Sequence, residues 1–290
     1  MDRFVALTVS GLSLGAIIAL VAVGFLVVHK ASGVTNFAHG DLVTLGTYVA
    51  IWFTTRFSLP VLLAYAGAIM AMFAVGVAIE RVAYAPLRAR APITVVIATL
   101  AASVMIGGLI AVWQGADAKP LAGPVGDDSM VLFGAHVAHQ RILIVVVAAV
   151  VIGALLLVFA RTSVGRQLRA LASDADTARL FGLHTRRLTM LAFGASAALA
   201  CLAGVLVAPL SAVDPTFGFR LMISAFAAAV LGGFGSLGGV VVGALVIGLV
   251  EQLVGGYLLT DYAAALPFVV MFAVIALRPE GLFVLRTERL

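Results

Sequence analysis

The stretch Arg161-Thr-Ser-Val-Gly-Arg-Gln-Leu-Arg-Ala-Leu-Ala-Ser-Asp-Ala-Asp-Thr-Ala-Arg-Leu-Phe-Gly182 is a polar interruption between apolar runs, and Arg186 and Arg187 follow it closely. Six of the chain's 18 basic residues fall between 161 and 187. An arginine at the centre of a bilayer costs about 2.5–3.5 kcal/mol even on the mildest scale, so a segment this charged lies in water between two spans. Val164, Leu168, Leu171, Ala175 and Ala178 recur at spacings of four and three, which puts them on one helical face and leaves Arg166, Arg169, Ser173 and Asp176 off it. Thr162 or Ser163 can cap the start and Gly182 can end it, so an amphipathic cytoplasmic helix of about five turns is expected. Such a helix either lies on anionic lipid or serves as a docking element. Two aspartates in mid-helix and a modest apolar face favour docking.

Working outward, 63% of the 290 residues are hydrophobic and 11% charged, with a mean hydropathy of +1.19. Soluble domains run near half apolar and a quarter charged, so this is an integral membrane protein. Apolar runs at 4–28, 42–55, 59–79, 92–113, 140–160, 188–210, 219–234, 238–258 and 263–277 are continuous rather than alternating, which argues helices and not a β-barrel. The predicted fold class is all-α: a polytopic helical membrane protein of about eight (seven to nine) transmembrane helices in a single transmembrane domain over 1–290. The runs at 42–55 and 219–234 are short, as in broken or re-entrant helices that line a pathway.

Lysine and arginine set the orientation. His29-Lys30, the Arg81-to-Arg90 loop, the 161–187 loop and the tail after Arg278 are expected in the cytoplasm. The loops around Asp117–Asp128, Asp214 and Asp261 are expected outside, with Arg56 and Arg220 as exceptions. Nine crossings with the N-terminus outside satisfy every loop, and eight require one re-entrant segment; both leave the C-terminus cytoplasmic. The net charge of +5 therefore reports orientation, not a nucleic-acid partner. The run starting at Phe4 is too long for a signal peptide and reads as the first span. Cys201, the single cysteine, lies in an apolar run and reads as a small core residue. The outer loop 114–139 carries Gly115, Pro120, Gly123, Pro124, Gly126 and Gly134, which argue turns rather than a helix.

Four polar or glycine-rich features remain. Gly11 with Gly15, and Gly239 with Gly243, are small-xxx-small pairs that let helix backbones approach; packing within the chain is favoured over a subunit interface. Asn36-Phe-Ala-His39-Gly-Asp41 sits beside a span. Asp41 there can cap the next helix, the segment can line a solute path, or His39 and Asp41 can bind a metal, in that order of preference. Gly232-Gly-Phe-Gly-Ser-Leu-Gly-Gly239 fails the G-x-S-x-G pattern and lacks the lysine of a phosphate loop, so Gly232, Gly233, Gly235, Ser236 and Gly238 read as a sharp reversal between two spans. Glu251 lies within an apolar run and needs a partner or a wet edge.

In chain order, Val34-Thr-Asn-Phe-Ala-His-Gly-Asp-Leu42, Ser163-Val-Gly-Arg-Gln-Leu-Arg-Ala-Leu-Ala-Ser-Asp174 with Ala178-Arg-Leu-Phe-Gly-Leu183, Val230-Leu-Gly-Gly-Phe-Gly-Ser-Leu-Gly-Gly239 and Arg278-Pro-Glu-Gly-Leu-Phe283 make a pattern. It resembles the membrane permease subunit of branched-chain amino acid ATP-binding-cassette importers, over nearly the whole chain. The region 86–113 is plainer than in that family, and Gly238-Gly239 stands where relatives often carry proline. The resemblance implies a permease subunit, not an enzyme, that forms a path for branched-chain or related small amino acids across the bacterial inner membrane. It implies a second, often non-identical permease subunit, two ATPase subunits that carry ATP and magnesium, and a periplasmic solute-binding protein, with no cofactor on this chain. The absence of a Walker A motif agrees with ATP hydrolysis elsewhere. The loop 161–187 becomes the coupling loop, with Gly165, Arg166, Arg169, Ala170, Asp174, Ala178, Arg179, Leu180 and Gly182 as its contact residues, and 114–139 becomes periplasmic. Asn36, His39, Gly40, Asp41 and Glu251 become candidates for the path. Urea or short amides are the alternative solutes. A stand-alone secondary transporter would have only Glu251 as an ion site, and an intramembrane enzyme is disfavoured because all five histidines fall near predicted span ends.

Overall fold

A computed structural model describes residues 2–88, 90–126, 128–132, 134–258, 265–278 and 281. The expected outer loop at Asp261 and most of the tail beyond Arg278 lie outside the described residues. In chain order the helices are α1 (Asp2–Ser32), α2 (His39–Phe57), α3 (Val61–Ile79), α4 (Pro92–Gln114), α5 (His139–Arg161), α6 (Ser163–Ser173), α7 (Ala175–Leu180), α8 (Thr185–Val207), α9 (Phe217–Gly232), α10 (Leu237–Tyr257) and α11 (Leu266–Leu277). Each apolar run in the sequence corresponds to one of these, and α6 and α7 occupy the polar interruption.

Among the described residues, six helical stretches are long and apolar enough to cross a membrane: Asp2–Ser32, Val61–Tyr84, Pro92–Gln114, His139–Arg161, Thr185–Leu210 and Leu237–Tyr257. Helices α9 and α11 are apolar but shorter. Helix α2 spans 19 residues, and its His39, Asp41, four threonines and Arg56 lower its hydropathy. Prolines set several starts: Pro92 opens α4, where its missing N–H costs nothing, and Pro60 precedes α3. After α3 the helix widens into a π turn at Glu80–Tyr84, closed by the Ala85 amide donating to the Glu80 carbonyl at 2.7 Å.

The chain forms two compact units, Gly24–Pro124 with Val151–Phe219, and Met1–Val23 with Val125–Val150 and Arg220–Leu290. In the first, glycines bring backbones together. A Cβ on Gly46 of α2 would lie 2.6 Å from Cβ and 2.8 Å from Cα of Cys201 on α8. One on Gly204 of α8 would meet the Val43 carbonyl of α2 at 2.8 Å, and one on Gly76 of α3 would meet Cα of Gly194 on α8 at 2.9 Å. Cys201 is thus a small, fully buried packing residue, as the sequence suggests. In the second unit, Gly11 and Gly15 of α1 face α10, with added Cβ atoms 3.0 Å from Cα of Leu249 and 2.9 Å from Cα of Leu245. Gly243 of α10 faces the Ala228 carbonyl of α9 at 2.5 Å. These small-residue patterns serve packing within the chain, where lipid supplies no hydrophobic drive and close contact must do so.

Two expectations change. The polar segment is not one five-turn helix: it breaks at Asp174, whose backbone is extended (φ −159°, ψ 109°). The Asp174 carboxylate accepts the Thr177 amide at 3.1 Å and the Thr177 hydroxyl at 2.6 Å, capping α7. Aspartate competes with the helical backbone in this way, which is why it favours caps over helix interiors. The 114–139 loop also contains more than turns. Strands β1 (Ser129–Leu132) and β2 (Ala135–Ala138) pair antiparallel with Ser129 opposite Ala138. The all-α class stands with this small hairpin added.

The tight α2–α8 contact gives a stability prediction. Gly46→Val forces side-chain atoms into the α8 backbone, and overpacking of this kind costs about 1–3 kcal/mol. Its melting temperature in detergent is expected to fall clearly. Gly153→Ala on α5, where nothing lies within 4 Å, is expected to leave it unchanged or raise it. Equal melting temperatures for the two variants would refute the contact.

Candidate functional site

The polar residues singled out before and within α2 gather around the start of that helix. Asn36 is buried, and its Oδ1 accepts the Ala38 amide at 3.1 Å. The Asp41 carboxylate, in the first turn, accepts a hydrogen bond from the Ser103 hydroxyl of α4 and faces its own backbone amide. It therefore does part of the expected capping work while also tying two helices together. The Phe37 amide donates to the Thr99 hydroxyl at 3.3 Å, so Thr99 and Ser103, one turn apart on α4, clamp residues 37–41. His39 is fully buried, and its Nδ1 lies 3.1 Å from the Ser196 hydroxyl of α8. Gly40 packs its carbonyl against Gly218 at the start of α9, whose amide donates to the Thr44 hydroxyl at 2.9 Å. One turn on, the Tyr48 hydroxyl donates to the Val213 carbonyl at 2.9 Å.

Helix α2 thus hydrogen-bonds α4, α8, the 213 loop and the start of α9. Both His39 and Ser196 are buried, and the Asp41 carboxylate is engaged by Ser103. No group of three or more metal-binding side chains occurs among the described residues. The Ser103, Ser196 and Thr44 contacts are absent from the sequence reading. Thr99 and Ser103 were legible as a polar pair four apart on an otherwise apolar helix. The partners of His39 and Thr44 are too distant in sequence to find.

The polar segment of α6 and α7 is anchored at one end and open at the other. Thr162 caps α6 by accepting the Gly165 amide at 3.1 Å. A Cβ on Gly165 would lie 2.6 Å from Cα of Phe159, so only glycine lets α6 fold back on the end of α5. Arg169 reinforces that fold by donating to the Phe159 carbonyl. Leu168, Leu171 and Ala178 are buried, whereas Val164, expected on the same face, is 39% exposed. Arg166, Ala170, Asp174 and Arg179 are exposed. Gly182 ends α7 with φ +78°; its amide donates to the Arg179 carbonyl at 2.9 Å and the Leu183 amide to that of Ala178 at 3.1 Å, the paired bonds of a glycine-terminated helix. Between them stand Leu180 and Phe181, 88% and 82% exposed. Both are large apolar side chains exposed within an otherwise polar segment. Phe181 was not among the expected contact residues.

The second compact unit holds the remaining candidates. Gly232 backs onto α10, where a Cβ would lie 2.5 Å from Cα of Val240, and Gly233 takes φ +81° in the reversal. Ser236 caps α10 by accepting the Gly239 amide at 3.1 Å. Gly235 and Gly238 are uncrowded. Glu251 of α10 accepts the Ser224 hydroxyl of α9 at 2.7 Å, so its partner lies at a helix interface. A further acid goes unremarked in the sequence reading: Glu80 is fully buried and paired with Arg88 at 2.7 Å.

The family described as branched-chain amino acid transport system / permease component matches residues 7–275. The chain is 32% identical over 286 residues to the high-affinity branched-chain amino acid transport system permease protein LivH of Escherichia coli K12, covering 94% of this chain and 93% of that protein. It is 33% identical over 291 residues to the high-affinity branched-chain amino acid transport system permease protein BraD of Pseudomonas aeruginosa, covering 94% of each. The solved structure of PsaBC from Streptococcus pneumoniae in complex with Fab is similar in fold alone, with a TM-score of 0.50 at 14% identity over 92% of this chain and 88% of that one. Apolar spans interrupted by an anchored polar segment, matched along nearly the full length by permeases, lead to one conclusion: the chain is a multi-pass membrane protein that belongs to the branched-chain amino acid transport system permease family.

Proposed function

We propose that this permease subunit carries branched-chain or related small amino acids across the bacterial inner membrane. A second permease subunit completes the path, two separate ATPase subunits bind ATP and magnesium, and a periplasmic binding protein delivers the solute. The chain itself holds no cofactor. Residues 1–290 act as one permease domain with the C-terminus in the cytoplasm, the 161–187 loop in the cytoplasm and the 114–139 loop in the periplasm. The amino-acid solute is supported by the relatives' names.

The coupling role is carried by one observation: Leu180 and Phe181 project from α7 beside Arg179, on a segment whose other end is locked to α5 through Gly165 and Arg169. A push on the exposed end is transmitted through helix caps and close backbone contact rather than through a flexible linker. Arg166, Ala170 and Asp174 add exposed contact area to that surface, Arg166 and Asp174 as charged groups, and Gly182 holds its shape. Asn36, His39, Gly40 and Asp41 bear on the path by fixing α2. Glu251 does so at the α9–α10 interface, and the turn of Gly232, Gly233, Gly235, Ser236 and Gly238 keeps those two helices together.

Three outcomes follow. Replacing both Leu180 and Phe181 with serine is expected to lower ATPase co-purification and solute uptake by roughly tenfold or more, since two anchor residues each carry over about 1 kcal/mol. The melting temperature should not change; full uptake by that variant would refute the coupling surface. Ser103→Ala leaves the Asp41 carboxylate without its hydroxyl partner, at about 1–3 kcal/mol. It is expected to lower both the melting temperature and uptake in vesicles, and wild-type stability would show that the bond carries no weight. In proteoliposomes holding the complete transporter, leucine uptake is expected to be inhibited by isoleucine and valine and not by urea or acetamide; the reverse pattern would replace the amino-acid solute with an amide.

A further inference from the structure

Between α3, the π turn and α4 runs an open groove of about 390 Å³, whose walls include Val75, Ile79, Tyr84, Leu87, Ala102 and Ile106. Almost all of its wall is carbon. Its two polar side chains besides Tyr84 are already engaged, Asn36 with the Ala38 amide and Thr99 with the Phe37 amide. The Tyr84 hydroxyl is likewise spent on the Ser32 carbonyl at 3.0 Å. The groove wall is therefore overwhelmingly apolar and suits an aliphatic chain. Val82 and Met105, which line it, are 77% and 61% exposed.

No charged side chain lines the groove itself, but arginine stands next to its Tyr84–Leu87 wall. The Arg88 guanidinium lies over the Tyr84 ring, 5.8 Å from its centroid, and so stands beside the groove wall. Its Nη2 is held by Glu80 at 2.7 Å, while its Nε has no hydrogen-bond partner. Arg81 on the π turn and Arg90 in the segment after it are exposed, the Arg81 guanidinium lying 3.9 Å from the Met190 sulfur of α8. Three arginines against one glutamate leave this side positive. An apolar trough flanked at Tyr84 and Leu87 by arginine is complementary to an amphiphile with an aliphatic tail and an anionic head. Glu80 fixes the guanidinium in place, so the arginine is preorganised rather than free to follow any ligand.

We propose that this groove holds an acyl chain of an anionic phospholipid, with its phosphate at Arg88 and the neighbouring Arg81 and Arg90. The proposal rests on the reading of residues 80–90 as the cytoplasmic end of these spans, where anionic lipid is concentrated. Its test is independent of solute, ATPase action and sidedness, so it can fail while the transport reading stands.

The assembled transporter, released from detergent in native mass spectrometry, is titrated with phosphatidylglycerol or phosphatidylcholine of identical acyl chains. Wild type is expected to retain phosphatidylglycerol roughly tenfold over phosphatidylcholine, from two or more basic contacts. Ala102→Phe, which fills the groove without touching a charge, is expected to abolish this retention, and Ala98→Leu, a milder change in the same wall, to reduce it. The double variant Glu80→Gln with Arg88→Gln, which removes the pair without leaving a lone charge, is expected to bring the two lipids close to parity. Equal retention of both lipids by wild type overturns the proposal, as does a preference that survives Ala102→Phe and Ala98→Leu. Absence of any bound lipid from wild type, as when a protein subunit covers the groove, overturns it too.

Discussion

Helices α2 and α8 touch backbone to backbone, and the unit that contains them is built on that contact. Gly46 admits Cys201, and Gly204 admits Thr47 and the Val43 carbonyl. A larger residue at either glycine would push the helices apart by the width of a side chain. That separation would break the hydrogen bond between His39 and Ser196, which reaches across the same pair of helices. In lipid there is no water to take over such a bond, so a small increase in spacing becomes a large cost in unsatisfied polar groups. Close packing and polar satisfaction are here a single constraint.

The same logic explains why a helix as polar as α2 can sit among apolar spans. Each of its buried polar side chains meets a partner on another element or on its own backbone: Asp41 meets Ser103, His39 meets Ser196, and Thr44 meets the Gly218 amide. Tyr48 reaches the Val213 carbonyl. A helix bonded in this way moves with its neighbours or not at all. In the polar segment, Gly165 and Arg169 bind α6 closely to the end of α5. The exposed α7 end follows across the break at Asp174.

Much of this was legible in the sequence, and the misses have physical causes. Continuous apolar runs had to become helices because lipid tolerates no other open backbone, and each did. Gly182 and Thr162 were legible because their positions outside a periodic pattern leave little else for a glycine or a threonine to do. The break at Asp174 was hidden because Ala175 and Ala178 continue the register of Leu168 and Leu171 across it; periodicity reports faces, not continuity. The π turn at Glu80–Tyr84 has no compositional signature. Glu80 beside Arg81 looks like ordinary loop charge, and only tertiary packing shows that it is buried with Arg88. Hydrogen bonds from α2 to Ser196 and Gly218 span well over a hundred residues, beyond any local pattern.

The central claim is that the α6–α7 segment is the cytoplasmic surface on which separate ATPase subunits act. The single native cysteine, Cys201, is fully buried, so one introduced thiol can be read against a quiet background. With Phe181→Cys, an impermeant maleimide is expected to label the protein in inverted vesicles and not in right-side-out ones, and the assembled ATPase subunits should block that labelling. Labelling from the outer side, or labelling indifferent to the ATPase subunits, would contradict the account.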